Sequence, residues 1–586
     1  MLKECLEVFK SDLENNRQKI IDSYVPADGT YVIVSHKDDF FEIKDYFDIK
    51  YDKKEKKLLG KTNINFYDVC NYDYNSKLID MNKPIDGKKI IHSNNYLSFF
   101  IKKESLENGK LNDEIIDNYY NILKNPIEKY AKNKKAVALY KSIEEEIGEV
   151  DVELLEKIKV WIKGNIFNLD MEIKGKDYLK IFFEHPIEKY VNEAKRYLIP
   201  NIYNNNDCNI DLDGDIYGLP NNNMGLNAKK PYLENKTRKN TSPYLIDAEE
   251  VQLQKEFFDY LMNEVSLGKV NAFIDVYNKK IDVKENGKLP DNDFNGLFLR
   301  LKKGKEVEIH DFDTITSYKS ILKKELNVEN ILELDLDSKQ NQKYMECYGS
   351  VKKKENIQKI LDEVFFSSYL INNYFTDAGD ISIKDNVLKN NLLTARNSIF
   401  NWIYKGIQKG SVNGIASVLD KVSLNLIKGS INNGYIPKAG HQFNLRWSLK
   451  EYFEGGRGMA DIVHDLKSTL RDKINEKDTN KIDNDKEYYF AVGQLISYLL
   501  SKSKGKKRPH SLANQFINSK SNDDLKGKLK KIYVKYSYDP DINSKRFNNL
   551  YAMIVGYLPE GKVETDLVIA GYLNSSLIYE KSEGDK

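Results

Sequence analysis

Apolar positions in residues 1–24 recur at helical spacing. Leu2, Leu6, Phe9, Leu13 and Ile20 share one face and predict an amphipathic helix. The period then shortens. Thr30–Val34, the Phe-rich run Asp39–Tyr51 and Tyr96–Ile101 are β-branched or aromatic with partial alternation, which predicts strands. Helical spacing returns at 113–132, 137–147 and 152–164, followed by a strand-like run at Tyr178–Phe183 and an amphipathic stretch ending at Pro200. Residues 201–227 fit neither period. Nine of these 27 positions are Asn, punctuated by Gly214, Gly218, Pro220 and Gly225, so a long loop is predicted. Asp247 and Glu250 form a capping-box-like start to a helix running to about Leu267. Val270–Tyr277 predicts a strand, and Gly296–Lys302 with Glu306–Ile309 a hairpin.

Beyond about residue 355 strand signals nearly vanish. Helices are predicted at 356–374, 390–407, 412–428 and 442–453, then at 460–476, 485–502, 509–518, 523–537, 543–557 and 563–579. Asp539-Pro540 and Pro559-Glu-Gly561 supply the late breaks. The pattern predicts an α+β chain: a mixed α/β N-terminal half, then an all-α C-terminal half ending in a helical bundle. Four regions follow: 1–200, α/β; 201–350, an Asn/Lys-rich loop with further α/β structure; 351–458, helical; and 459–586, a bundle.

Composition narrows the class. Of 586 residues, 40% are hydrophobic and 11% aromatic, enough to bury several cores, and this excludes wholesale disorder. No apolar run approaches the roughly 18 residues that span a bilayer, and the N-terminal turns carry acids without a signal-like apolar stretch. A cytoplasmic protein without membrane contact is expected. Cys5, Cys70, Cys208 and Cys347 lie far apart, so neither a zinc site nor a disulfide framework is expected. The Lys, Asn, Ile and Tyr bias is what AT-rich coding produces, so only local clustering counts as signal.

Charge clusters in two places. Lys229, Lys230, Lys236, Arg238 and Lys239 face the single acid Glu234 and follow Asn222, Asn223 and Asn227. Asn pairs with adenine edges, Gly permits close backbone approach, and Lys and Arg neutralise phosphates. The second cluster, 502–546, holds 13 Lys and Arg against four acids, a net +9. It includes Lys504, Lys506, Lys507, Arg508, Lys528, Lys530, Lys531 and Lys535, with Tyr533, Tyr536 and Tyr538 interleaved as candidate stacking surfaces. The competing reading of both is a solvated surface. The whole-chain balance of 91 basic against 89 acidic residues, +2, averages unlike parts.

Catalytic signatures are weak. Asn209-Ile-Asp-Leu-Asp-Gly-Asp215 imitates the start of a calcium loop, but Pro220 stands where a bidentate Glu belongs, and a self-capping turn is the better reading. His310-Asp311 and His464-Asp465 match the dipeptide of HD nucleases without a second ligand cluster, so cap or surface roles are expected. No Walker loop, G-x-G-x-x-G, nucleophile elbow or H-E-x-x-H occurs. No catalytic residue, metal or cofactor is predicted. The alternatives are an HD-type metal-dependent nuclease using His464-Asp465, or a scaffold without nucleic-acid contact.

The opening MLKECLEVF, the segment Pro26-Ala-Asp-Gly-Thr-Tyr31, and MGLNAKKPYLENKTRK (224–239) running into PYLIDAEEVQLQKEFFDYLMN (243–263) together resemble the large subunit of the type I-B CRISPR Cascade complex, the Csh family. The resemblance extends over nearly the whole chain in layout and is most specific at 224–263. It implies a non-catalytic subunit of an RNA-guided antiviral surveillance complex. Such a subunit sits beside the crRNA 5′-handle-binding and backbone subunits, contacts the PAM and target duplex, aids R-loop formation, and supports recruitment of a helicase–nuclease in trans. The loop 222–239 is then the candidate duplex contact.

Glu454-Gly455-Gly456 can be encoded as GAA-GGA-GGN, which contains the ribosome-binding sequence AGGAGG a workable distance before the Met459 codon. Initiation at Met459 would yield the last 128 residues as a separate small subunit lining the displaced strand through 502–546. The competing reading is a Gly-rich linker with an incidental Met.

Overall fold

The strand-like runs near the N-terminus pair as β1 (Gly29–Lys37) and β2 (Phe40–Asp52), antiparallel. In the computed structural model they belong to a five-stranded sheet with β3 (Lys57–Leu59), β4 (Ser98–Lys102) and β5 (Tyr178–Phe183), ordered β3-β2-β1-β5-β4. The pair β1–β5 is parallel, and the other pairs are antiparallel. The structure describes all residues except 38–39, 53–56, 172, 204–205, 207–208, 221–244, 408–413, 456–457, 478–479, 506–508 and 581–586, with backbone alone at 541 and 543.

Central strands are buried on both faces, which explains their near-continuous apolar runs. Helices Phe66–Ser76, Asp113–Lys124, Val152–Asn165 and Ile187–Asn201 complete that core with Val69, Ile116, Tyr120, Ile158 and Tyr190. The Asn-rich stretch is not wholly loop. It contains a hairpin of β6 (Ile210–Leu212) and β7 (Asp215–Tyr217), turned by Asp213 and Gly214 at φ 56° and 94°. Both turn residues lie in the left-handed region, the signature of a two-residue Asp-Gly turn.

A second sheet, ordered β11-β10-β8-β9, comprises β8 (Lys269–Asp275), β9 (Lys280–Glu285), β10 (Phe294–Lys303) and β11 (Val307–Tyr318). Phe9 of helix Leu2–Asn15 and Phe257 and Leu261 of helix Ala248–Ser266 share its core. The predicted first helix stops at Asn15, and a short turn of helix follows at Lys19–Asp22. Later come β12 (Ile321–Val328) and β13 (Gly349–Lys353), an antiparallel pair.

From Lys354 the regular elements are helical, so the α+β reading holds. The helix predicted over 356–374 ends at Val364, because Ser367 and Ser368 take positive φ. Helix Asp485–Ser501 is buried from Glu487 to Leu500 and forms the centre of the C-terminal core. Helices Ile415–Asn432, Ile436–Glu454, Met459–Asn475, Asn522–Tyr536, Lys545–Gly556 and Thr565–Leu573 contribute to that core. Chain contacts define two units, Met1–Glu285 with Gly296–Asp313, and Asn286–Asn295 with Thr314–Lys586. The boundaries drawn from sequence at 200, 350 and 458 fall inside these units. Among the described residues no helix is long and apolar enough to cross a membrane.

Candidate nucleic-acid interface

Helix Asn522–Tyr536 begins where the Ser521 hydroxyl accepts the Asp524 backbone N–H at 3.3 Å. Asp523 and Asp524 occupy its first turn and Lys535 its last, each matched to the helix dipole. Leu525, Leu529, Ile532 and Tyr536 form its buried stripe. That register turns Lys530, Lys531, Val534 and Lys535 to solvent. Among the described residues neither Lys530 nor Lys531 meets a carboxylate, and the Lys535 ammonium lies 5.4 Å from the Tyr536 ring. Beyond the helix, Tyr538 is 52% exposed, an aromatic surface of the kind that stacks on bases. Its hydroxyl donates to the Lys502 carbonyl at 3.4 Å, which ties the 502–505 segment to the helix end. The exposed Lys504 ammonium sits 4.7 Å from the Tyr538 ring. Lysines, an apolar residue and an available ring therefore share one surface, able to neutralise phosphates and hold a base.

Other members of the predicted cluster hold the fold. Lys528 donates to the Gln515 carbonyl at 2.9 Å, the Ser519 hydroxyl at 3.0 Å and Asp524 at 2.5 Å. Lys502 is buried against the Tyr498 ring at 4.8 Å, with Asp539 at 3.8 Å. Lys526 donates to the Tyr557 carbonyl, and burial pushes its pKa down. Arg546 bonds Asn475 at 2.6 Å and the Glu580 carbonyl. Two of the three tyrosines also pack inward: Tyr533 is half-buried and stacks on Tyr551 at 4.4 Å, and Tyr536 is buried. Net charge by segment counted these residues as surface. Burial and hydrogen-bond partners separate them, within helix Asn522–Tyr536 through its register.

Lys506, Lys507 and Arg508 lie outside the described residues, as do Asn222, Asn223, Asn227, Lys229, Lys230, Lys236, Arg238 and Lys239. The calcium-like string is the β6–β7 hairpin, where Asp211 accepts the Gly214 N–H at 3.0 Å as a self-capped turn. His464 is exposed and its Nδ1 lies 3.1 Å from Glu333, which also accepts from Lys467 at 2.6 Å. His310 and Asp311 lie on β11. Among the described residues no group of three or more His, Cys, Asp or Glu is placed to hold a metal. Met459 starts its helix with a buried side chain, its N–H donating to Glu451 at 2.5 Å.

One feature of the first unit carries no motif: a cleft of about 450 Å³ at one end of the five-stranded sheet, assembled from residues between Tyr24 and Lys303. Its aromatic, cationic and amide groups are dispersed over nearly half the chain, so no local spacing marks it. Comparison with protein-family models, curated proteins and solved structures finds no match to this chain.

Proposed function

We propose that this chain is the nucleic-acid-binding large subunit of an RNA-guided surveillance complex of the type I-B Cascade kind. The observation that supports binding is the outward row of Lys530, Lys531 and Lys535 beside the exposed Tyr538. A solvated helix face usually interleaves acids with such lysines, whereas this one does so only in its first turn. The resemblance of 224–263 to the Csh family supplies the identity of the complex.

In this reading the guide RNA reads the target by pairing, and protein reads a short adjacent motif on the duplex. The 222–239 segment contacts that duplex. Helix Asn522–Tyr536 follows a phosphate backbone, with Tyr538 suited to an unpaired base of the displaced strand. Cutting falls to a helicase–nuclease recruited in trans. RNA recovered with the tagged chain from its own cells tests the proposal. A population with one constant 5′ segment joined to varied spacers is expected, and recovery of no such RNA would overturn it.

A further inference from the structure

The cleft of the first unit forms where β1 and β5 begin and β2 and β4 end. Gly29 lets these strands meet closely, since a Cβ there would lie 2.4 Å from the Tyr178 carbonyl oxygen. Tyr51, Phe100 and Tyr178 project from the strands, Tyr24 precedes β1, and Met81 and Met262 add flexible apolar walls. At about 450 Å³ the space suits a small planar ligand.

Its polar groups are graded. Lys180 is neutralised by Asp73 at 2.5 Å, and the Tyr24 hydroxyl donates to the same carboxylate at 3.0 Å. Lys77 faces Asp259 at 3.4 Å, a carboxylate that Lys255 also holds at 2.8 Å. His92 donates from Nε2 to the Lys89 carbonyl at 2.9 Å and accepts at Nδ1 from the Tyr178 hydroxyl at 3.1 Å. Burial pushes its pKa down, so it is neutral. Two groups remain. Lys303 is exposed at the rim and has no ion partner among the described residues. Asn263 is 8% exposed and its Nδ2 has no hydrogen-bond partner. A buried amide N–H of this kind is destabilising unless a ligand acceptor meets it.

We infer that this cleft binds one nucleotide unit: a base held among the aromatic rings and methionines, its ring nitrogen or carbonyl accepting from Asn263 Nδ2, and its phosphate at Lys303. With Lys180 and Lys77 each already facing a carboxylate, Lys303 is the cation left at the rim, which suits the single charge of a phosphodiester better than a di- or triphosphate. The inference rests on the nucleic-acid reading above but names a separate site on the other unit.

The test is photocrosslinking of the full chain to a short single strand carrying 5-iodouracil, with the attached peptide identified by mass spectrometry. Attachment at Tyr24, Tyr51 or Tyr178 is expected, falling about five-fold in Lys303→Ala, a surface change that spares the core. Persistence of that crosslink under excess uridine monophosphate assigns the site to a nucleotide within a strand, and its loss assigns it to a free nucleotide. Both outcomes support the base-and-phosphate chemistry. Crosslinks confined to Tyr538 would overturn the cleft while leaving the helical interface intact. Absence of any crosslink would overturn both.

Discussion

Lys528 and Lys530 are two positions apart on one helix and do different work. Three acceptors hold Lys528 against the protein, whereas Lys530 faces solvent without a carboxylate. Lys528→Ala should lower unfolding stability by about 1 kcal/mol, while Lys530→Ala should stay within about 0.5 kcal/mol. Denaturant titration of both variants checks this, and equal losses would contradict the assigned register. A second residue-scale prediction concerns His441, 2% exposed in the second unit. Its Nε2 donates to Asn341 at 2.9 Å and its Nδ1 accepts from Tyr348 at 2.6 Å, so the neutral ring is satisfied at both nitrogens. Burial pushes its pKa down from 6.5 to about 4. Below pH 6.5 the unfolded chain therefore binds a proton that the folded chain refuses. This contribution is full at neutral pH and is lost as pH falls toward 4, by about 3 kcal/mol. The His441 ring resonance should not titrate above about pH 5, and a midpoint near 6.5 would contradict the buried network.

At the scale of elements, helices Asp485–Ser501 and Thr565–Leu573 meet through glycines. A Cβ on Gly493 would lie 2.3 Å from the Val568 carbonyl oxygen, and one on Gly571 2.1 Å from that of Phe490. Intrinsic propensity favours Ala over Gly in a helix by about 1 kcal/mol, but the backbones cannot separate without opening the core. Gly571→Ala should destabilise by about 2–3 kcal/mol, so the sign of the change decides between propensity and packing. A rise in thermal midpoint would contradict this packing.

The same scale shows what the sequence could reveal. Periodicity located most long helices and central strands, because those signals are local. The self-capping turn at Asp213-Gly214 was legible, yet the surrounding asparagines masked the short strands β6 and β7 that flank it. The break after Val364 depended on positive φ at Ser367 and Ser368, which no propensity announces. The basic cluster was visible as charge, but its division into outward and inward lysines required the buried stripe Leu525, Leu529, Ile532 and Tyr536. The cleft was invisible, since Asn263 and Lys303 gain meaning only from strands distant in the chain.

For the whole molecule, the C-terminal core does not begin at Met459. Ile331, Ile427, Ile431 and Phe443 belong to the same cluster as Leu495 and Ile569, and buried Arg446 pairs with Asp566 at 3.1 Å. A product starting at Met459 would leave that surface uncovered unless another chain supplied it. Silent recoding of the Glu454–Gly458 codons should remove a short C-terminal band of 128 residues while sparing the full-length chain. Absence of such a band before recoding would contradict internal initiation.

The central claim is that the outward lysines of helix Asn522–Tyr536 bind nucleic acid. Binding of a labelled single strand to the full chain, followed by anisotropy across a salt series, tests it most directly. Affinity should fall steeply with salt, and replacing Lys530, Lys531 and Lys535 by Ala should reduce the log–log slope by about 2 without altering stability. A slope unchanged by the triple substitution would contradict the account.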